Sequence, residues 1–116
     1  MSSPKVLLVV DDGNLRARYE GVLRSSGFEP ISVDDRSALK DPPEGVVAGC
    51  VLTPYRSGDP TCTKLLDAAV PVVRIDPYIR HAREHLPFDV VLPASGEPRQ
   101  VITALRHLVP SSILPS

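Results

Sequence analysis

Residues 5–12, KVLLVVDD, decide the fold class, because an apolar run there ends in two adjacent carboxylates. Four further runs rich in valine, leucine and isoleucine follow, at 29–33, 46–52, 70–75 and 89–92. The run at 6–10, the third run and the fourth run show little alternation of apolar and polar residues, which is typical of strands buried on both faces of a parallel sheet. The sequence therefore predicts five short strands.

Helical patterns lie between these runs. After the first run, apolar residues repeat at helical spacing (Leu15, Tyr19, Val22 and Leu23). Gly27 then stands where a glycine commonly ends a helix. Residues 36–40 offer one further short helix ahead of Pro42-Pro43, and the sequence leaves open whether it forms.

Three proline-containing stretches predict the starts of the later helices. Asp59-Pro60 and Asp76-Pro77 each combine an N-cap residue with a first-turn proline. Ser95 with Pro98 offers a similar start for the last helix. The predicted inner faces are apolar stripes: Leu65, Leu66 and Ala69; Ile79, Ala82 and Leu86; and Val101, Leu105 and Leu108.

Strands and helices thus alternate along the chain. Right-handed crossovers turn this order into a doubly wound α/β sheet with helices on both faces, a flavodoxin-like three-layer sandwich with five parallel strands. Ligands of such sheets bind beyond the carboxyl ends of the strands. The residues just after each strand are therefore the candidates for a functional site.

Length and composition exclude several classes. The 116 residues fit one domain, 1–116, with an ordered core over about 4–110. A formal charge of −1 and 4% aromatic residues argue against nucleic-acid binding. No apolar run is long enough to span a bilayer or to act as a signal peptide, so we expect a cytoplasmic protein. The 13 prolines are scattered between apolar runs and indicate turns instead of disorder.

Five segments, at 5–12, 15–29, 46–54, 70–73 and 88–92, together resemble the receiver domains of bacterial two-component response regulators (CheY-like). They cover almost the whole chain in the family's order. The first resembles the receiver's opening strand with its acidic pair, and the third resembles the strand that carries the phospho-acceptor. The resemblance implies the strand order 2-1-3-4-5.

Several positions depart from the receiver pattern. The family's phospho-acceptor aspartate lies four residues before a proline, and counting back from Pro54 gives Cys50. Where the family has a Ser or Thr at the end of strand four, this chain has Asp76. The family's lysine after strand five is replaced by Ala94, and its switch aromatic is replaced by Val91. No Asp or Glu lies anywhere in residues 46–57. We therefore interpret the phosphorylation pocket as degenerate.

The acidic pair of the family's pocket survives as Asp11 and Asp12. The resemblance places Asp12 at the direct metal-ligand position, and we expect weak Mg²⁺ binding or none, with no other cofactor. Asp76 offers a third oxygen ligand. Each also has a structural interpretation: Asp11 or Asp12 caps the following helix, and Asp76 caps the next one.

Cys50 and Cys62 allow more than one interpretation. Cys50 is either a redox or metal-binding thiol or a small buried side chain, and the acidic residues around it disfavour the thiolate. A disulfide between the two cysteines depends on a geometry that the sequence does not give, and both are expected as reduced thiols. Arg74, inside the fourth strand, requires either a charge partner, such as the acidic cluster, or a route to the surface.

The three histidines, His81, His85 and His107, are expected on the surface. His81 and His85 are four residues apart and would share a helix face, which allows a metal site, but no convincing third ligand accompanies them. Arg80, His81 and Arg83 make a locally basic face that suggests a protein partner.

These observations predict a stand-alone pseudo-receiver, which is not an enzyme and acts by phosphorylation-independent protein–protein interaction. The resemblance implies a partner or homodimer surface on helix four, strand five and helix five, at residues 77–109. One alternative is a metal or small-molecule binder, or a thiol-dependent enzyme, on the same fold. Another is a receiver that is still phosphorylated weakly.

Overall fold

The computed structural model describes residues 3–33, 44–53, 60–80, 83–86, 89–110 and 112–114. Its strands are β1 (Lys5–Val9), β2 (Glu29–Val33), β3 (Val46–Leu52), β4 (Val72–Asp76), β5 (Arg83–Leu86) and β6 (Asp89–Pro93). Its helices are α1 (Gly13–Ser25), α2 (Pro60–Asp67) and α3 (Arg99–Leu108). The proposed short helix at 36–40 and the proposed cap Asp59 lie outside the described residues.

One sheet organises the chain, in the order β2-β1-β3-β4-β6-β5. The contacts of β1 with β2 and β3, of β3 with β4, and of β4 with β6 are all parallel. Since β6 is the fifth predicted strand, the predicted fold class and the order 2-1-3-4-5 are confirmed. The structure adds β5, an edge strand that pairs antiparallel with β6.

The predicted helix after β4 is wrong over the described residues. Asp76 is followed by a turn at 77–78, and residues 83–86 form β5, with Arg83 opposite Val91 and Leu86 opposite Asp89. The apolar stripe that suggested a helix was short, and the otherwise open edge of β6 offers hydrogen-bond partners to an extended segment. His85 therefore lies in a strand, and the four-residue spacing from His81 does not place the two on a helix face. Ala82 lies outside the described residues.

Alternation along the strands divides the core into two layers. Val6, Leu8 and Val10 face the layer beneath α1 and α3, whereas Leu7 and Val9 face α2. Gly49 of β3 lies against Leu65 of α2, and a Cβ on Gly49 would collide with the Leu65 side chain. The glycine therefore permits the close approach of α2 to the sheet.

The helix ends follow local chemistry in α1 and tertiary packing in α3. Gly27, at φ 88°, follows the C-cap Ser26 as predicted. Ser95 as the cap of the last helix is wrong, because α3 begins at Arg99 with Pro98 at the N-cap and no side-chain cap bond. The predicted inner face of α3 (Val101, Leu105 and Leu108) is buried. No helix in the described part of the chain is long and apolar enough to cross a membrane.

Candidate functional site

The carboxyl ends of the parallel strands meet at one edge of the sheet, where ligands of this architecture bind. Asp11 and Asp12 follow β1, Thr53 follows β3, Asp76 ends β4, and Ala94 follows β6. The backbone joins two of these ends, since the amide of Ala94 donates to the carbonyl of Asp76 at 3.1 Å. The predicted site residues other than Cys50 and Val91 thus lie at or just beyond this edge.

Asp12 is the N-cap of α1. Its Oδ1 accepts a hydrogen bond from the amide of Leu15 at 3.0 Å, and its carbonyl accepts from the amide of Arg16 at 2.8 Å. The positive end of the helix dipole favours a carboxylate there. The capping alternative is therefore confirmed for Asp12, and this exposed carboxylate already has a structural partner.

Asp76 is almost completely buried, with 3% of its surface exposed. Its Oδ1 accepts a hydrogen bond from the amide of Tyr78 at 2.8 Å, which closes the turn after β4. The Asp76 side chain thus stabilises a turn, and the prediction that it caps a helix is wrong. A buried carboxylate at this point can only accept hydrogen bonds when it is ionised, whereas the oxygens of a phosphoryl group would need a hydrogen-bond donor there.

Cys50 lies inside β3, level with Leu8 of β1 and Val73 of β4. The strand continues through Val51 and Leu52 before the edge is reached, so Cys50 lies deeper than the acidic residues. Its side chain is fully buried in the layer beneath α1 and α3. Burial, with a smaller contribution from Cys62, raises the pKa of the Cys50 thiol to about 12.

This high pKa keeps Cys50 protonated near neutral pH, and the thiolate is the form that attacks substrates and binds metals. Cys62 belongs to the opposite layer of the core, packed with Leu65. Both cysteines are free thiols, so the structure contains no Cys50–Cys62 disulfide. The geometry therefore favours the interpretation of Cys50 as a buried core side chain.

Thr53, which the sequence analysis did not single out, occupies the edge at the end of β3. It is 1% exposed, and its amide donates to the carbonyl of Ile75 at 2.9 Å. Val9 pairs with Val51, and two residues further the chain reaches Asp11 on one side and Thr53 on the other. The sequence did contain a signal for the position of Thr53. Residues 46–52 are apolar throughout, which predicts a strand that continues past Cys50.

Arg74 forms a bidentate ion pair with Asp89. Its Nη2 lies 2.9 Å from Oδ2, and its Nε donates to Oδ1 at 3.0 Å. Asp89 pairs with Val72 in the sheet, so the guanidinium is anchored toward the amino ends of β4 and β6, away from the acidic edge. Of the two alternatives left open for Arg74, the structure shows pairing inside the protein, with Asp89 as a partner that sequence reasoning did not suggest.

Val91, the position of the switch aromatic, is 1% exposed and lies level with Arg74 on one side and Arg83 on the other. It is a short aliphatic side chain within the β4–β6–β5 part of the sheet. His81 lies outside the described residues, as do the side chains of Arg83 and His85. The proposed basic face of Arg80, His81 and Arg83 therefore stays a prediction.

The overall geometry is similar to solved structures of a receiver domain and of response regulators. The receiver domain of the hybrid histidine kinase CckA matches with a TM-score of 0.61 and 17% identity, over 90% of this chain and 98% of that one. The response regulator ChrA of a heme-sensing two-component system matches with a TM-score of 0.65 and 17% identity, over 93% of this chain and 57% of that one. The chain has a receiver-domain fold.

Full-length FixJ from B. japonicum adds a third example of the receiver fold, with a TM-score of 0.57 and 20% identity, over 97% of this chain and 62% of the FixJ chain. This chain thus spans little more than half the length of the ChrA and FixJ chains. No protein-family model matches the sequence. No curated protein matches it either.

The receiver fold implies a Mg²⁺ site at the carboxyl edge, where Asp11 and Asp12 are the candidate ligands. Mg²⁺ demands near-octahedral oxygen coordination, usually with carboxylate ligands. The Asp12 carboxylate caps α1, and the Asp76 carboxylate closes a turn. Within the described ranges, no three His, Cys, Asp or Glu residues are grouped so that they hold a metal ion.

Proposed function

We propose that this chain is a pseudo-receiver that acts in signal transduction or regulation through protein–protein interaction that does not depend on phosphorylation. The observation that carries the proposal is the end of β3. There the receiver fold needs a carboxylate nucleophile, whereas this strand places Cys50 in its buried interior and Thr53 at its edge. A threonine hydroxyl and a protonated thiol do not replace an aspartate that must hold Mg²⁺ and attack phosphorus.

The electrostatics of the edge support the same proposal. A phosphoryl group on β3 would meet the buried carboxylate of Asp76 on the neighbouring strand, and like charges repel strongly where water is excluded. Ala94 has no cation to balance the added charge. We therefore propose that the protein is not an enzyme, uses no metal cofactor, and works as a cytoplasmic binding protein.

The Arg74–Asp89 ion pair supports a fixed binding surface instead of a switch. It joins neighbouring strands β4 and β6 beside Val91, where the resemblance implies a switch aromatic. A buried, bidentate pair has one favourable geometry, and its disruption leaves two charges without compensation. The face at residues 77–109 stays our proposal for a partner or homodimer surface, formed in this structure by β5, β6 and α3 without a helix over the described part of 77–86.

The test is an NMR titration of the whole chain with Mg²⁺ and then with beryllofluoride, a phosphoryl mimic. We expect the amide signals of Asp12, Thr53, Asp76 and Ala94 to stay in place, while the spectrum remains that of a folded protein. Shifts confined to these four residues on addition of beryllofluoride would overturn the proposal. Sodium fluoride without beryllium serves as the control for ionic strength.

A further inference from the structure

A groove with a volume of about 790 Å³ separates the outer surfaces of α1 and α3. It lies on the face of the sheet that α1 and α3 cover, which is the face where Cys50 is buried. It is distinct from the carboxyl edge. Val22 and Ile102 line its apolar part, and none of the described residues that line it is acidic. The groove is therefore a mixed apolar and basic surface, since Arg18, Arg99 and Arg106 also line it.

Three arginines give the groove its charge. Arg18 lies on α1, and Arg99 and Arg106 lie on α3, and all three are exposed. Arg99 and Arg106 are seven residues apart, which corresponds to two helical turns and a rise of about 10.5 Å. Within the described part of the chain none of the three forms an ion pair, in contrast to Arg24 of the same α1, which pairs with Glu20 at 3.7 Å. The groove thus presents positive charges that neighbouring carboxylates do not neutralise.

Gly21 provides an independent observation. Glycine weakens a helix interior relative to alanine, and its lack of a side chain permits close approach to the backbone. Apart from its chain neighbours and its own helix backbone, a Cβ on Gly21 would meet no described atom within 4 Å, so packing within the described part of the protein does not require the glycine. With Ala17 and Ser25, one turn before and after, it leaves the α1 side of the groove low enough for the ridge of another helix.

We propose that this groove binds an acidic α-helix of a protein partner, whose carboxylates at seven-residue spacing meet Arg99 and Arg106. The inference rests on the proposed function, and it assigns the partner a surface that combines α1 with the α3 part of the face at residues 77–109. A second copy of this chain in a symmetric dimer would bring arginines against arginines, which charge repulsion disfavours. The net charge of −1 and the scarcity of aromatic residues favour a protein over a nucleic acid.

The test uses the whole chain and a synthetic helical peptide of about 20 residues, long enough to form a helix, with glutamates at seven-residue spacing beside an apolar stripe. A second peptide carries lysine at each glutamate position, and a DNA duplex of similar length tests nucleic acid. We expect the glutamate peptide to shift the amide signals of Ala17, Gly21, Ile102 and Thr103, more strongly at low salt than at high salt. The lysine peptide and the duplex should leave them unchanged.

Variants complete the test. Arg18→Ala, Arg99→Ala and Arg106→Ala should each weaken binding of the glutamate peptide by about two- to fivefold, the range for an exposed ion pair. Arg24→Ala is the matched control and should bind as the original chain does. Gly21→Gln should keep the fold, since its Cβ meets open space, and should block the groove.

Four results would overturn the inference: no shift with the glutamate peptide, shifts centred elsewhere, equal effects of the lysine peptide, or binding by the duplex instead. These outcomes are separate from the beryllofluoride titration. Failure of the peptide to bind leaves the phosphorylation-independent function standing, whereas a beryllofluoride response overturns that function whatever the peptide does.

Discussion

Arg74 and Asp89 form a two-point ion pair between neighbouring parallel strands, with Nη2 to Oδ2 at 2.9 Å and Nε to Oδ1 at 3.0 Å. The side chain of Asp89 is 1% exposed and that of Arg74 is 13% exposed. Charges this far from water persist only when they are paired and hydrogen-bonded. The pair therefore joins the side chains of β4 and β6 in one fixed geometry.

Removal of one partner of this pair should be costly. We expect Asp89→Ala to lower the free energy of unfolding by about 3–5 kcal/mol, because the guanidinium would stay buried without its carboxylate. The double variant Arg74→Met with Asp89→Leu should be closer to the original chain than either single change, as measured by urea denaturation. Equal losses in the single and double variants would contradict this account.

The N-cap of α1 should be measurable in the same way. Asp12→Ala removes the acceptor for the amide of Leu15 and should cost about 1 kcal/mol of unfolding free energy. Asp12→Asn keeps an acceptor and removes the charge, so it should be close to the original stability. If Asp12→Asn were as destabilising as Asp12→Ala, the contribution would come from the charge and not from the cap.

Alkaline pH should destabilise the protein through two buried groups. Burial raises the pKa of Cys50 from 9.0 to about 12, and chiefly burial raises the pKa of Tyr19 from 10.0 to about 12. Well below pH 9 both groups are protonated in the folded and the unfolded chain, and their contribution is constant. Between pH 9 and pH 12 the unfolded chain loses protons that the folded chain retains, so stability falls as the pH rises.

Urea midpoints measured from pH 7 to pH 11 would follow this decline. The double variant Cys50→Ala with Tyr19→Phe should show a flatter pH dependence above pH 9, whatever its stability at pH 7. The folded chain should also react slowly with iodoacetamide at pH 8, and urea should restore the reaction. Rapid labelling of Cys50 in the folded state would contradict its buried placement.

Restoring an aspartate should not restore phosphorylation. Cys50→Asp would bury a carboxylate in the layer beneath α1 and α3, and should lower stability by several kcal/mol. Thr53→Asp puts the carboxylate at the edge, yet Asp76 still repels the phosphoryl group and Ala94 still lacks a cation. Mass spectrometry after incubation with acetyl phosphate and Mg²⁺ should show neither variant modified. A phosphoryl adduct on Thr53→Asp would show that the edge is less degenerate than proposed.

A substitution at Gly21 should raise the stability of the protein, in contrast to the substitutions above. Gly21→Ala should raise the free energy of unfolding by about 0.5–1 kcal/mol, because the new methyl group meets open space and alanine is the better helix former. Gly49→Ala is the matched control and should be destabilising, since its Cβ would collide with Leu65. Thermal or urea denaturation checks both changes.

The amino-acid sequence by itself determined the parallel sheet and the first helix. The nearly unbroken apolar runs predict strands buried on both faces, and such strands require covering helices. The cap at Asp12 and the glycine at Gly27 could also be predicted, because the groups that they contact lie within a few residues along the chain. Contacts between residues this close in sequence can be predicted without knowledge of the tertiary structure.

Only the tertiary structure decided the partner of Arg74, the depth of Cys50 and the conformation of residues 83–86. Asp89 reaches Arg74 because β4 and β6 are neighbours in one register. The same kind of register places Cys50 level with Leu8 inside the sheet and brings Thr53 to its edge. Residues 83–86 are a strand because β6 supplies hydrogen-bond partners for them, which outweighs a short helical stripe. Each outcome depends on contacts between segments far apart in sequence, and those contacts exist only once the sheet has formed.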